Sequence, residues 1–366
     1  MKKIGILTFQ SSDNFGALLQ TFGTFYTLQK LGQNPEVINY VSPNKKEMYR
    51  IINISKNPLR TMKNFVRVPL KLNKKIKSDM FRKKYLKIVA PPIETFDELQ
   101  KIQEYQRKIV VGSDQVWNYE NTKFDKRYFL DFVNDPSKKV SYAASFALPA
   151  IKTEYQIEYS RLLNDFGYIS VREVEAVKIV RDLTSREATH VLDPTLLLNK
   201  EEWDDVSKRE QVRVKDSNYL LIYAVGNLEH TIRVAKEIAE KKKLQIILIP
   251  TSVKDYLAKE VRTLNPSPME FVQLFNNASY IVTSSFHGLA FATNLNKEFT
   301  CCLDVNGKLN SRQLSLLELT KLESRLCYDN EYDNHIHENI EWSMINSNLQ
   351  AARELSIGFL EQAVNG

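Results

Sequence analysis

The chain is predicted to be an α/β protein of two Rossmann-like domains facing each other across a cleft, on three observations. Short apolar runs alternate with helical stretches from about residue 4 to residue 303, the pattern from which parallel sheets are built. Several runs end in small polar residues, at the strand ends where open α/β sheets bind ligands. The 366 residues are enough for two hydrophobic cores.

The elements follow in order. Ile4-Gly5-Ile6-Leu7 opens as a buried strand, 15–31 carries apolar residues at helical spacing, and Gly32 stops that helix. After Pro35, residues 36–40 form the next strand, and right-handed crossover places both strands in one sheet. A basic insertion over about 44–92 interrupts the alternation, punctuated by Pro58, Pro69 and Pro91-Pro92. Strands at 108–112, 140–146 and 168–172 follow, with helices at 151–166 and to about 183. Farther on, strands at 219–225, 244–249, 280–283 and 299–303 alternate with helices at 229–242, 268–276 and 288–295. The first domain is set at 1–166 and the second at 167–345. A helix within 346–366 is placed to pack back on the first.

Charge narrows the function classes. Lys and Arg number 51 against 44 Asp and Glu, for a net +7. Residues 56–87 hold twelve cations and the single acid Asp79, so the rest of the chain is net acidic. Without a nucleic-acid motif, that distribution argues against nucleic-acid binding. In the basic segment Leu59, Met62, Phe65, Val66, Val68 and Leu70 interleave with Lys63, Arg67 and Lys71. This pattern suits peripheral contact with an anionic membrane surface, or a solvated arm that binds an acceptor. No apolar run has the length of a membrane span or a signal core, so a cytoplasmic protein, peripheral at the inner membrane face, is expected. Cys301, Cys302 and Cys327 fit neither a disulfide framework nor a paired Cys-x-x-Cys zinc site, and no metal or cofactor is expected.

Four constellations carry chemistry. Ser11-Ser12-Asp13-Asn14-Phe15-Gly16-Ala17 follows the first strand and opens the first helix, making either a cradle for a polar ligand or a plain cap. In Gly112-Ser113-Asp114-Gln115-Val116-Trp117-Asn118 polar side chains crowd a strand end. Trp117 offers either a flat face for a sugar ring or a core residue beside a capped turn. Ser170-Val171-Arg172-Glu173 sets an arginine at a strand–helix junction, for bidentate anion binding or for a surface pair with Glu173. Thr283-Ser284-Ser285-Phe286-His287-Gly288 ends a strand in three hydroxyls and a histidine at the start of an apolar helix, a setting for a proton donor to an anionic substrate. Asp193-Pro194-Thr195 and Asn310-Ser311-Arg312 can each cap a segment, and Arg312 can also reach a phosphate.

Taken together, these segments resemble the polysaccharide pyruvyl transferase family. The resemblance rests on Ser12 to Ala17 with Gln20, Gly112 to Asn118, 141–146, 170–173, 193–197, 285–288 and 310–312, in that order. It implies a GT-B-like fold and transfer of the enolpyruvyl carbons of phosphoenolpyruvate to two hydroxyls of a sugar, forming a pyruvate ketal. Phosphoenolpyruvate is then the co-substrate, and the acceptor is a glycan or glycolipid of a cell-surface polysaccharide. His287 would protonate the donor, Arg172 and Arg312 would hold its anionic groups, and Ser284, Ser285, Gly288, Asn310 and Ser311 would line the donor site. Asp114 would orient or deprotonate the acceptor hydroxyl, with Asn14, Gly16, Gln20, Gln115, Trp117 and Asn118 on the acceptor side. Many members carry an arginine two positions before the histidine, where this chain has Ser285. Arg172, Arg312 or a lysine of the basic segment would then replace it, or the donor differs. Two other readings of the same architecture are a nucleotide-sugar glycosyltransferase and a non-catalytic glycan-binding protein.

Overall fold

In the computed structural model, residues 3–43, 68–210, 214, 218–258, 261–305, 310–329 and 339–366 are described. The chain divides into two units. Unit 1 takes the described residues within 1–50, 82–197 and 350–366, and unit 2 those within 51–81 and 198–349.

Unit 1 begins with β1 (Lys3–Leu7), α1 (Phe15–Lys30) and β2 (Pro35–Val37), the expected βαβ unit. Next comes α2 (Val68–Tyr85), which runs from unit 2 into unit 1, and then α3 (Phe96–Tyr105), β3 (Gln106–Val111), the short α4 (Tyr119–Thr122) and β4 (Lys139–Ala144). The unit continues through α5 (Thr153–Asn164), β5 (Tyr168–Val171), α6 (Val174–Thr184) and β6 (Thr189–His190). All six strands pair in parallel, in the order β2-β1-β3-β4-β5-β6. Burial of both faces explains why the strands read as continuous apolar runs, with Ile109, Val110 and Val111 fully enclosed. The order reverses between β1 and β3, which puts the unit's ligand crevice at the carboxyl ends of those two strands.

Unit 2 contains α7 (Lys200–Ser207), β7 (Tyr219–Tyr223), α8 (Leu228–Lys242), β8 (Gln245–Leu248), β9 (Arg262–Thr263) and α9 (Pro268–Asn277). It continues with β10 (Tyr280–Thr283), α10 (Phe286–Asn294), β11 (Phe299–Leu303), α11 (Ser311–Thr320) and β12 (Leu326–Tyr328). The last helix, α12 (Trp342–Asn365), runs from unit 2 into unit 1. Six parallel strands stand in the order β12-β11-β10-β7-β8-β9. Numbered within the unit, that is the doubly wound dinucleotide-fold order, and its reversal lies between β7 and β10.

Three boundaries differ from the sequence reading. The division falls after Leu197 and not at 166, because β5 pairs with β4 and β6 with β5, extending the first sheet. Residues 86–93 are no insertion: Val89 N donates to Val37 O at 2.9 Å and Ile93 N to Asn39 O at 2.8 Å, so they run along the outer edge of β2. The second sheet has six strands because the two-residue β9 and three-residue β12 are too short to show periodicity. Pro58, Leu59, Met62, Lys63, Phe65, Val66 and Arg67 lie outside the described residues. Among the described residues no helix is long and apolar enough to cross a membrane.

Candidate active site

Unit 1 concentrates buried polar groups at the carboxyl edge of its sheet. The loops after β1 and β3, which flank the crevice, are tied together: Thr8 Oγ1 donates to Ser113 O at 3.1 Å. Gln20, reaching back from α1, donates to Thr8 Oγ1 at 2.8 Å and accepts from Ser113 N at 3.2 Å. Gln20 is fully buried and therefore positions the crevice walls, a correction to its expected contact with the acceptor. Asn14 caps α1 and is exposed, its Oδ1 accepting from Gly16 N at 2.8 Å, while Gly16 is buried. Arg82, which the sequence reading missed, clamps this loop by donating to Gln10 O at 2.7 Å, Ser12 O at 2.7 Å and Asp13 Oδ1 at 2.8 Å. The signal for it is a cation from the basic segment meeting the acid in Ser12-Asp13-Asn14.

After β3 the chain turns sharply. Gly112 has φ +109°, and a Cβ there would sit 2.3 Å from Tyr142 O, so this position requires glycine. Asp114 follows in the left-handed region at φ 73°, a conformation that costs about 1–3 kcal/mol and clusters at working sites. Its side chain keeps 16% of its exposure, with Oδ1 3.9 Å from Arg172 Nη2. Gln115 is half-buried beside it.

Trp117 and Asn118 turn inward. Trp117 is 0% exposed, stacks on Phe129 at 5.6 Å and donates from Nε1 to Tyr128 O at 3.0 Å. Its indole is a core residue, which corrects the expected sugar-stacking role: an aromatic flanked by Val116 and a capped helix start completes the core. Asn118 is buried and caps α4 by accepting from Asn121 N at 2.9 Å, so it too has a local task.

Arg172 is neither a surface partner of Glu173 nor a part of unit 2. Its side chain is 1% exposed, and Nη1 donates to Asp193 Oδ2 at 2.8 Å. Ser113 Oγ also donates to Asp193 Oδ2, at 3.0 Å, and Asp193 Oδ1 accepts from Thr195 N and Oγ1. Burial disfavours the charged guanidinium, yet Asp193, Asp114 and Glu173 outweigh it and raise its pKa above the ordinary value. The expected donor-binding role is corrected on this geometry, since the guanidinium is held in the strand-end network of unit 1. Glu173 is buried as well, and its Oε1 accepts from Ser145 Oγ, Phe146 N and Ala147 N at 2.9–3.0 Å.

In unit 2 the crevice at the β7/β10 reversal holds the other candidates. Ser284 Oγ accepts from Val225 N at 3.0 Å and donates to Val225 O at 3.2 Å, joining the loops after β7 and β10. Ser285 caps α10. A Cβ on Gly288 would lie 2.1 Å from Thr283 Oγ1, so glycine lets α10 pack onto the strand end. Gly288 thus serves packing. His287, 8% exposed, occupies the first turn of α10, where the helix carries partial positive charge. The ring of Phe286 has its centroid 5.2 Å from that of His287 and 5.8 Å from Arg312 Cζ. Gln313, a further residue the sequence reading missed, donates to Ser284 O at 3.3 Å. Arg312 and Ser311 are half-buried at the start of α11, and Asn310 donates to Asp304 O at 2.7 Å. One edge of unit 2 therefore gathers Ser284, Ser285, His287 and Arg312, able to offer a proton and a positive charge to an anion.

Among curated proteins no sequence matches the chain. Among solved structures it is similar to a UDP-N-acetylglucosamine 2-epimerase from Rickettsia bellii, at 10% identity and a TM-score of 0.49 over 100% of this chain and 97% of that one. It is also similar to the Escherichia coli ADP-heptose lipopolysaccharide heptosyltransferase II, at 11% identity and a TM-score of 0.39 over 96% and 99% of the two chains. A UDP-N-acetylglucosamine 2-epimerase from Neisseria meningitidis bound to UDP-N-acetylglucosamine gives 11% identity and a TM-score of 0.46 over 99% and 100%. The sequence model of polysaccharide pyruvyl transferases matches residues 14–305, from the cap of α1 to the end of β11. That span includes Asp114 and His287, and on it the chain belongs to the polysaccharide pyruvyl transferase family.

Proposed function

We propose that the protein transfers the pyruvyl group of phosphoenolpyruvate to two hydroxyls of one sugar in a cell-surface polysaccharide or its lipid-linked precursor, forming a ketal. The observation that carries this reading is the grouping of His287, Ser285 and Arg312 at the β7/β10 strand ends. A donor bearing both a carboxylate and a phosphate calls for a cation and a helix start, and Arg312 takes the place of the cation absent at Ser285. His287 gives its proton to C3 of the donor, which becomes a methyl group and leaves C2 electrophilic. One sugar hydroxyl adds to C2, the C2–O bond to phosphate breaks, and the second hydroxyl closes the ketal. The hydroxyl protons go to replace the one spent by His287 and to the departing phosphate. Arg312 offsets the charge that grows on the leaving group. Asp114, the partly exposed carboxylate of unit 1, orients or deprotonates the acceptor hydroxyl.

Incubating the purified protein with phosphoenolpyruvate and candidate glycolipid acceptors is expected to release one phosphate per ketal formed. Acceptor-dependent release of UDP from a nucleotide sugar, with phosphoenolpyruvate inert, would overturn the reading in favour of a glycosyltransferase.

Lipid-linked acceptors lie at an anionic membrane surface, and we place the protein peripherally at its cytoplasmic face. The support is α2, where Leu72, Ile76 and Met80 are 42%, 50% and 66% exposed on one stripe and Lys83 and Lys84 are exposed near it. Flotation with anionic liposomes is expected to weaken by about fivefold for each of Lys83 and Lys84 changed to Gln. Flotation unchanged in the double variant would discard the membrane contact.

A further inference from the structure

Unit 2 holds a second cluster, on elements the reaction above leaves unused. His230 lies in the first turn of α8, Cys302 on β11 and Cys327 on β12. Cys302 and Cys327 are register partners on adjacent parallel strands, so their side chains leave the sheet on the same face, the one that α8 covers. His230 is 6% exposed, Cys302 1% and Cys327 0%. One ligand atom from each lies within 4.8 Å of the others, and His230 Nε2 stands 3.7 Å from Cys327 Sγ. A metal–nitrogen bond of about 2.0 Å and a metal–sulfur bond of about 2.3 Å, opened to a trigonal angle, would separate their ends by about 3.7 Å. The His230–Cys327 spacing already matches a shared ion.

We propose that His230, Cys302 and Cys327 form a binding site for a soft d10 cation, with copper(I) as the ion that three such ligands complete. Two thiolates and an imidazole are the soft donors that favour this class over magnesium or calcium. Zinc asks for a fourth ligand, and among the described residues no further His, Cys, Asp or Glu joins the three. On binding, the Cys302 and Cys327 thiols each release a proton, giving a complex of net charge −1. Arg233 supplies the compensating charge: its Nη2 is 3.0 Å from His230 Nδ1. When His230 carries its proton on Nδ1 to free Nε2 for the metal, the guanidinium turns from the ring toward the thiolates. Arg233 has room to do so, because it also lines an open cavity of about 850 Å³ with Gly226, Glu229 and Ser252. The site does not depend on the transferase reading, since it shares no residue with that site.

The test uses the full chain, reduced and kept free of oxygen, with copper(I) delivered from a competing chelator. One equivalent per chain is expected, with affinity falling more than about 100-fold in Cys302→Ser and Cys327→Ser and about 10–100-fold in His230→Gln. Cys301→Ser, whose thiol is on the opposite face of β11, is expected to bind like the parent. Absence of uptake by the parent, or equal loss in Cys301→Ser, would overturn the site. X-ray absorption on the loaded parent tests it without any variant: two sulfurs and one nitrogen support the assignment, and a shell lacking sulfur refutes it.

Discussion

Replacing His287 with glutamine is expected to slow pyruvyl transfer by about 10²–10⁴-fold, the worth of a positioned general acid, while leaving donor binding nearly intact. Glutamine keeps a hydrogen-bonding side chain on the first turn of α10, next to Phe286 and near the cap at Ser285, so the helix start is preserved. What it removes is a proton that can be given to C3 of the donor. The discriminating measurement is kcat against KM for phosphoenolpyruvate, followed by phosphate release. A fall in kcat with KM little changed is the signature of an interaction made only in the transition state. Loss of donor binding in proportion to turnover would show that the imidazole serves binding, and the proposed proton transfer would fail.

Arg172→Met is expected to destabilise unit 1 by about 3–5 kcal/mol, because it strands the Asp193 carboxylate in a fully buried position. Asp193→Asn alone keeps an oxygen for Thr195 and breaks only the ionic half of the network. The double variant removes both charges and is expected to be less unstable than the two single losses summed, with a coupling of about 1–3 kcal/mol. Urea denaturation of the four proteins closes the cycle. Additive losses would mean that the guanidinium and carboxylate act independently, and the role of this pair in fixing the β3 and β5 strand ends would be wrong.

Most of the framework was legible because it repeats. Ile4 to Leu7, the helix ending before Gly32 and the strands at 219–223 and 280–283 each present a buried run with a clear stop signal. The strand ends that carry Ser113-Asp114 and Ser285 with His287 were legible too, as polar residues that follow apolar runs. What could not be read was direction. Trp117 stands among polar residues in sequence, but Phe129, Phe146 and Phe166 surround it in space. Arg172 looks like an anion clamp until Asp193, from beyond the next helix and strand, meets it. The triad of His230, Cys302 and Cys327 was illegible for the same reason: its members are distant in sequence, and no local spacing records a meeting made by the sheet.

The route of α12 bears on biosynthesis. Residues 350–366 belong to unit 1, although all of unit 2 precedes them in the chain. Ser356 Oγ accepts from Leu192 N at 2.9 Å, Arg353 Nε donates to Leu196 O at 2.8 Å, and Leu360, Ala363 and Val364 are fully buried. Residues 350–366 therefore leave the ribosome after all of unit 2, so the unit translated first is completed second. Removing residues 350–366 would injure unit 1 while sparing unit 2.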